Sequence, residues 1–204
     1  MKQYPSIPSK INGELDIYAF GKYDGSNIRV EWSPKSGFSK FGTRKRLLSE
    51  KDDHLGKAVT LFKENWEPHL PKIFARQRWQ HKVVLFFEFF GEKSFAGYHY
   101  DDDTHKLVLI DVDVYKKGLV SPRDFVDIFG DLPIPKVLYR GKCNSSFIES
   151  VRTSKLEEMP FEGVVCKAHH PKRGNIMFKV KSQAWLDKVK EKFGDRPELV
   201  EELI

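Results

Sequence analysis

Lys22-Tyr23-Asp24-Gly25-Ser26-Asn27 is the stretch on which the reading of this chain turns. It sets one lysine beside an acid, a tight glycine turn and two small polar side chains. Such a loop can present an amine as a nucleophile. The amine would attack the α-phosphorus of a nucleoside triphosphate, expel pyrophosphate and hold the monophosphate through a phosphorus–nitrogen bond. The plainer reading is a hairpin, because Asp-Gly is a common turn dipeptide between strands. Residues 15–20 and 28–32, on either side, both have strand character. The rest of the chain must decide between the two.

Outward from the loop, residues 37–46 can continue a sheet. Residues 54–65 place Leu55, Ala58, Val59, Leu61 and Phe62 at helical spacing, and 66–79, interrupted by Pro68 and Pro71, contain a second helix. Residues 83–90 and 107–115 have the apolar character of central strands, and Asp101-Asp102-Asp103 between them reads as a charged surface turn. Ser121-Pro122 pairs a capping residue with one suited to the first turn of a helix, and a further helix is expected near 145–153. Strands at 163–168 and 176–180 lead into a helix over 182–193, whose Trp185, Leu186, Val189 and Phe193 share a face. No repeat, low-complexity tract or linker interrupts this pattern.

The 204 residues, 40% hydrophobic and 31% charged, suit one ordinary globular domain over residues 1–204 rather than a disordered chain. A net charge of +6 favours a polyanionic partner, although it also serves solubility. Cys143 and Cys166 lie far apart without metal-type spacing, which points away from a disulfide framework or structural zinc and fits a reducing cytoplasm. Residues 1–11 lack an apolar signal core, and no apolar run approaches membrane-spanning length.

Ionisable residues interrupt several apolar strands in a fixed order. Thr43-Arg44 comes after the lysine loop; Phe87-Glu88-Phe89-Phe90-Gly91 places an acid in an aromatic strand, and Ile110-Asp111-Val112 does so again. Glu162-Gly163-Val164-Val165-Cys166-Lys167 and Phe178-Lys179-Val180-Lys181 complete the set. Spanning Lys22 to Lys181, this series resembles the covalent nucleotidyltransferases, which comprise ATP-dependent polynucleotide ligases and RNA capping enzymes. It is most similar to the RNA ligases of the nick-sealing type. The resemblance implies an α+β nucleotidyltransferase fold, ATP-grasp-like, with antiparallel sheets flanked by helices. So few residues come after Lys181 that no appended oligonucleotide-binding barrel is expected, which argues against a DNA ligase or a capping enzyme.

Each position has a physical rationale. Lys22 must be neutral to attack, whereas a free lysine has a pKa near ~10.4. Lys179, Lys181 and a bound magnesium would disfavour its ammonium form, and the two lysines would also hold triphosphate oxygens. In a strand Lys179 and Lys181 share one face while Phe178 and Val180 point to the core, though a solvated edge strand gives the same pattern. Glu88 sits among Phe86, Phe87, Phe89 and Phe90, where an unpaired buried charge is costly, so a pocket role is favoured.

By the resemblance, Glu88 and Arg44 would contact the ribose hydroxyls, with Arg46 as a substitute for Arg44. Glu162 would bind the metal or orient Lys22, with Gly163 allowing close backbone approach, and Lys167 is a candidate phosphate contact. Asp111 would serve the later steps, with Asp113 as its rival. Ile110 stands where the family usually has an aromatic residue on adenine, and Gly21 where many relatives have an acid. Asn27 favours the RNA branch, a neutral amide being suited to a phosphate or ribose hydroxyl, while Arg29 weakens that distinction.

The implied activity is ATP-dependent ligation of 5′-phosphate and 3′-hydroxyl RNA ends through lysyl-AMP and adenylylated polynucleotide intermediates, in RNA repair. Its cofactors would be ATP and magnesium, or manganese in its place. Lys40, Lys45, Arg46, Lys172 and Arg173 are candidates for the polynucleotide backbone, and an accessory RNA-binding protein is a candidate partner. The alternatives are an ATP-dependent DNA ligase and a non-catalytic nucleic-acid-binding module. His69, His81, His99 and the His169-His170 pair lack metal-ligand spacing and read as surface or satisfied polar residues.

Overall fold

A computed structural model describes residues 1–9 and 14–203; residues 10 and 11 of the N-terminal stretch lie outside the described residues. The chain begins with β1 (Asp16–Lys22), β2 (Ser26–Ser33), β3 (Gly37–Gly42) and β4 (Leu47–Leu48), followed by α1 (Gly56–Asn65) and α2 (Leu70–Arg76). Next come β5 (Val83–Gly91), β6 (His105–Val114), β7 (Gly118–Leu119) and α3 (Pro122–Phe129). The last third holds β8 (Val137–Lys142), α4 (Ser145–Arg152), β9 (Gly163–His170), β10 (Gly174–Lys181), α5 (Gln183–Phe193) and α6 (Pro197–Leu203).

The strands form two antiparallel sheets, and the chain divides into two compact units. Residues 1–5 and 25–134 form one unit around a six-stranded sheet of order β4-β3-β2-β5-β6-β7. Residues 6–24 and 135–204 form the other around a four-stranded sheet of order β10-β9-β1-β8. The hairpin reading of Asp24-Gly25 is thereby corrected. β1 pairs with β8 and β9, whereas β2 pairs with β3 and β5, so this dipeptide carries the chain from one sheet to the other. The glycine is required there, because a Cβ on Gly25 would lie 2.2 Å from the Phe89 carbonyl oxygen.

In the first unit, alternation gives the sheet two unlike faces. Ile28, Val30, Leu85, Phe87 and Leu109 are buried, with Phe62 and Trp66 packing edge-on to Phe87 at ring separations of 5.6 and 5.0 Å. Trp66 Nε1 also donates to the Leu107 carbonyl at 3.2 Å, which satisfies its buried N–H. The opposite face carries the polar residues. Asn27 pairs in register with Glu88, Arg29 lies in a row with Phe86 and Asp111, and Glu31 lies in a row with Val84 and Asp113.

The N-terminal strap 1–5 joins this polar face. Arg29 is 5% exposed and donates to the carbonyls of Met1 and Lys2, each at 3.1 Å, and to that of Thr43. Between Phe86 and Phe87 the pairing of β5 with β6 slips by one residue, leaving Ile110 as the extra residue of a bulge. The acidic turn also differs from expectation. Asp101 and Asp102 are exposed, but Asp103 is buried and accepts from the backbone N–H groups of Glu92 at 3.1 Å and Lys93 at 2.9 Å.

In the second unit Ile17, Ala19, Val164, Cys166, Phe178 and Val180 form the sheet's apolar face against Phe147 and Val151 of α4. Asn144 caps α4 through the Phe147 N–H at 2.9 Å, and Ser182 caps α5 through the Trp185 N–H at 3.1 Å. No described helix is long and apolar enough to cross a membrane.

Candidate active site

Lys22 is the last residue of β1 and pairs with Gly163 of β9, which pairs on its other side with Lys181 of β10. Two lysines thus flank one glycine in a single row across three strands. Gly163 holds φ at +129°, and a Cβ there would lie 2.3 Å from the Val180 carbonyl oxygen, so only glycine closes the row. The preceding residue, Glu162, uses both carboxylate oxygens: Oε2 accepts from Lys22 Nζ and Oε1 pairs with Lys181 Nζ, each at 2.9 Å.

The α5 cap fixes this turn from the other side. Ser182 N–H donates to the Glu162 carbonyl at 3.0 Å, and Ser182 Oγ donates to the Phe161 carbonyl at 2.6 Å. Burial pushes the Lys181 ammonium down to about 8; Glu162 pulls the other way, while Lys22 and Lys179 add to the fall. Lys181 Nζ also donates to the Leu203 carbonyl and lies 3.7 Å from the Trp185 ring centre. Trp185 Nε1 in turn donates to Asp24 Oδ2 at 3.1 Å, fixing the acid two residues beyond the nucleophile candidate.

The solvated-edge reading of Lys179 and Lys181 fails in an instructive way. β10 is an edge strand, yet the Lys181 side chain is only 7% exposed. Lys179 is half-buried, with its N–H donating to the Pro8 carbonyl at 2.8 Å. Lys167, the candidate phosphate contact, is buried with its ammonium 4.9 Å from the Phe20 ring centre.

In the first unit Asp111 is 1% exposed and accepts a hydrogen bond from the Tyr4 hydroxyl, whose ring lies 4.9 Å from that of Phe86. Burial holds the Tyr4 hydroxyl well above the ordinary tyrosine range; Asp111 and Glu88 add to this, and Arg44 opposes it. Glu88 and Arg44 thus act on one hydroxyl. Arg46, the alternative to Arg44, forms a surface ion pair with Asp52. Asp113 is paired with Lys2, so neither acid of β6 is exposed. Ile110 sits half-buried at the bulge. Asn27 Nδ2 donates to the Phe87 carbonyl at 3.2 Å, and among the described residues nothing donates to its buried Oδ1.

Three contributors escaped sequence reasoning. Tyr4 lies outside every motif, and Trp185 was legible only as a core residue of α5. His99, read as a surface or satisfied residue, hydrogen-bonds through Nε2 to Ser26 Oγ at 2.8 Å, within the Lys22–Asn27 stretch.

Among the described residues no group of three or more His, Cys, Asp or Glu side chains could hold a metal ion. Magnesium commonly takes one or two carboxylates plus substrate phosphates and its own waters. A single carboxylate, Glu162, between two phosphate-compatible lysines fits an ion carried on phosphate.

A glycine-spaced lysine pair on one carboxylate, in a chain whose other sheet carries Glu88 and Asp111 in its strands, belongs to a nucleotidyltransferase fold. The RNA ligase family model matches residues 16–181, and the chain belongs to that family. Solved structures agree on the fold. An RNA ligase of Naegleria gruberi, a point mutant with ATP and Mn, superposes with a TM-score of 0.62 at 18% identity, covering 86% of this chain and 52% of that one. An archaeal ATP-dependent RNA ligase gives 0.62 at 15% identity, with 97% and 52% covered. Another Naegleria gruberi mutant, with AMP and Mn, gives 0.56 at 17% identity, with 86% and 52% covered. The chain spans about half the length of these proteins. The comparison with curated proteins returned no match.

Proposed function

We propose that the chain is the adenylyltransferase domain of an ATP-dependent RNA ligase, acting as one catalytic domain over residues 1–204. The observation that carries this reading is the Glu162 carboxylate held between Lys22 and Lys181. Lys22 Nζ, having lost a proton, attacks the α-phosphorus of ATP; a phosphorus–nitrogen bond forms and the bond to pyrophosphate breaks. AMP then passes to a 5′-phosphate end, and a 3′-hydroxyl displaces it to form the phosphodiester, with Asp111 assigned to these later steps.

Lys179 and Lys181 would hold phosphate oxygens where negative charge develops. Glu162 orients Lys22 and is the residue that would hold magnesium or manganese, an ion that supplies charge neutralisation on the phosphates. Glu88 and Arg44 take the ribose hydroxyls, the Asn27 Oδ1 acceptor suits a hydroxyl donor, and Ile110 covers the purine. Arg29, the residue that weakened the RNA assignment, is engaged with three backbone carbonyls, which supports the RNA reading. RNA repair in the cytoplasm, with an accessory RNA-binding protein as partner, is the setting this activity suits.

The test is incubation with α-labelled ATP and magnesium, followed by a denaturing gel. Wild-type protein is expected to carry label and Lys22→Ala none. A labelled Lys22→Ala band would remove Lys22 as nucleophile. Sealing rates on matched RNA and DNA nicks then separate the RNA ligase from a DNA ligase.

A further inference from the structure

Phe161 is 48% exposed, an unusual setting for a phenylalanine immediately before a buried carboxylate. Its backbone is fixed: its carbonyl accepts from Ser182 Oγ at 2.6 Å, and the next residue's carbonyl accepts from Ser182 N–H at 3.0 Å. The ring therefore projects from a rigid turn rather than from a mobile loop. Lys188 Nζ lies 5.4 Å from its centre.

Lys188 and Lys192 stand one helical turn apart on α5, both exposed, and Arg196 comes four residues later with its guanidinium 5.2 Å from the Phe193 ring centre. These positions flank the buried face of Trp185, Val189 and Phe193. The acids Asp187 and Glu191 occupy the outermost side of the helix, and Gln183 donates to Asp187 at 2.8 Å. A basic stripe beside a fixed, exposed ring matches the chemistry of a single-stranded nucleic acid, whose bases stack on aromatics while its phosphates meet ammonium groups.

We infer that Phe161, Lys188 and Lys192 form a docking platform for an RNA strand, the ring stacking on a base and the lysines meeting the flanking phosphates. The inference rests on the ligase reading for its choice of RNA, but its test does not need the ligase chemistry. A labelled single-stranded RNA oligonucleotide is titrated with wild type, Phe161→Ala, Phe161→Trp and a Lys188→Glu/Lys192→Glu double variant, and ATP labelling is measured in parallel.

Phe161→Ala is expected to bind the RNA roughly tenfold more weakly, with Phe161→Trp restoring affinity, since any base can stack on either ring. The double variant should lower the slope of log affinity against log salt by roughly one to two. Labelling of Lys22 by ATP should be unchanged in all three, which also shows that they fold. Wild-type RNA affinity in Phe161→Ala overturns the platform. So does a change in concentration-dependent mass with RNA binding intact, which would assign the ring to a second copy of the chain. Loss of ATP labelling in the wild type with RNA binding intact would instead remove the ligase reading and leave the platform standing.

Discussion

Lys22 and Lys181 are held by opposite oxygens of one carboxylate, Glu162, each at 2.9 Å. Two cations share one buried anion, so the arrangement depends on that charge. Glu162→Gln keeps the shape and removes the charge, leaving two facing ammonium groups without their anion. Its labelling by ATP is expected to fall at least about a hundredfold, the scale seen when an electrostatic catalytic contact is removed. A wild-type labelling rate in this variant would falsify the orienting role.

Lys181 also predicts a pH dependence of stability. Its folded pKa, about 8, lies below the ordinary lysine value of 10.5, so the unfolded chain binds the proton more tightly. Stability must then rise with pH between about 8 and 10.5, and the penalty is fully present below 8. The span is on the order of 3 kcal/mol. Denaturant unfolding of wild type and Lys181→Met in metal-free buffer isolates the effect, because the methionine lacks the titrating group. A stability difference that does not move across this range would rule out the depressed lysine.

Trp185 positions Asp24 through a 3.1 Å hydrogen bond. Trp185→Phe keeps much of the packing but loses the donor, so labelling by ATP should slow while the protein stays folded at assay temperature. A double-mutant cycle with Asp24→Asn distinguishes positioning from general loosening. If the hydrogen bond acts on the reaction, the paired variant should be less impaired than the two single effects combined, and strict additivity would dissolve the link.

Tyr4 brings its hydroxyl to Asp111 within the strap. Tyr4→Phe removes that donor with little change in volume and should cost about 1–2 kcal/mol in chemical denaturation. It should also slow the sealing of pre-adenylylated RNA more than the labelling of Lys22 by ATP, because Asp111 is assigned to the later steps. Equal slowing of both would separate Tyr4 from that role.

Strands and helices driven by strong local signals were legible in the sequence. The apolar runs of β5 and β6, the capped start at Ser121 and the helix that begins after Ser182 appear where periodicity and, at Ser121, capping chemistry put them. β8 escaped because its residues are at most half-buried and carry little alternation, and α6 because its seven residues come after an already complete helix. In the site, the order of Lys22, Glu88, Asp111, Glu162, Lys179 and Lys181 is a property of the chain and could be read from it. That one glycine would stand between Lys22 and Lys181 is a property of strand pairing across some 140 residues, which no local pattern encodes. Asp24-Gly25 was ambiguous for the same reason, since a turn dipeptide does not state which sheet receives each strand.

The placement of β1 between β8 and β9 has a further consequence for when the molecule becomes competent. Lys22 lacks its partner Gly163 until the chain has been made to β9, and Lys181 comes later still. Closing so long a loop before its contacts reward it slows folding. A nascent or truncated chain that stops short of Glu162 holds Lys22 on a strand whose β9 partner is missing, without the carboxylate that orients it. The candidate nucleophile is thus assembled late, and an incomplete copy has the amine without the means to aim it.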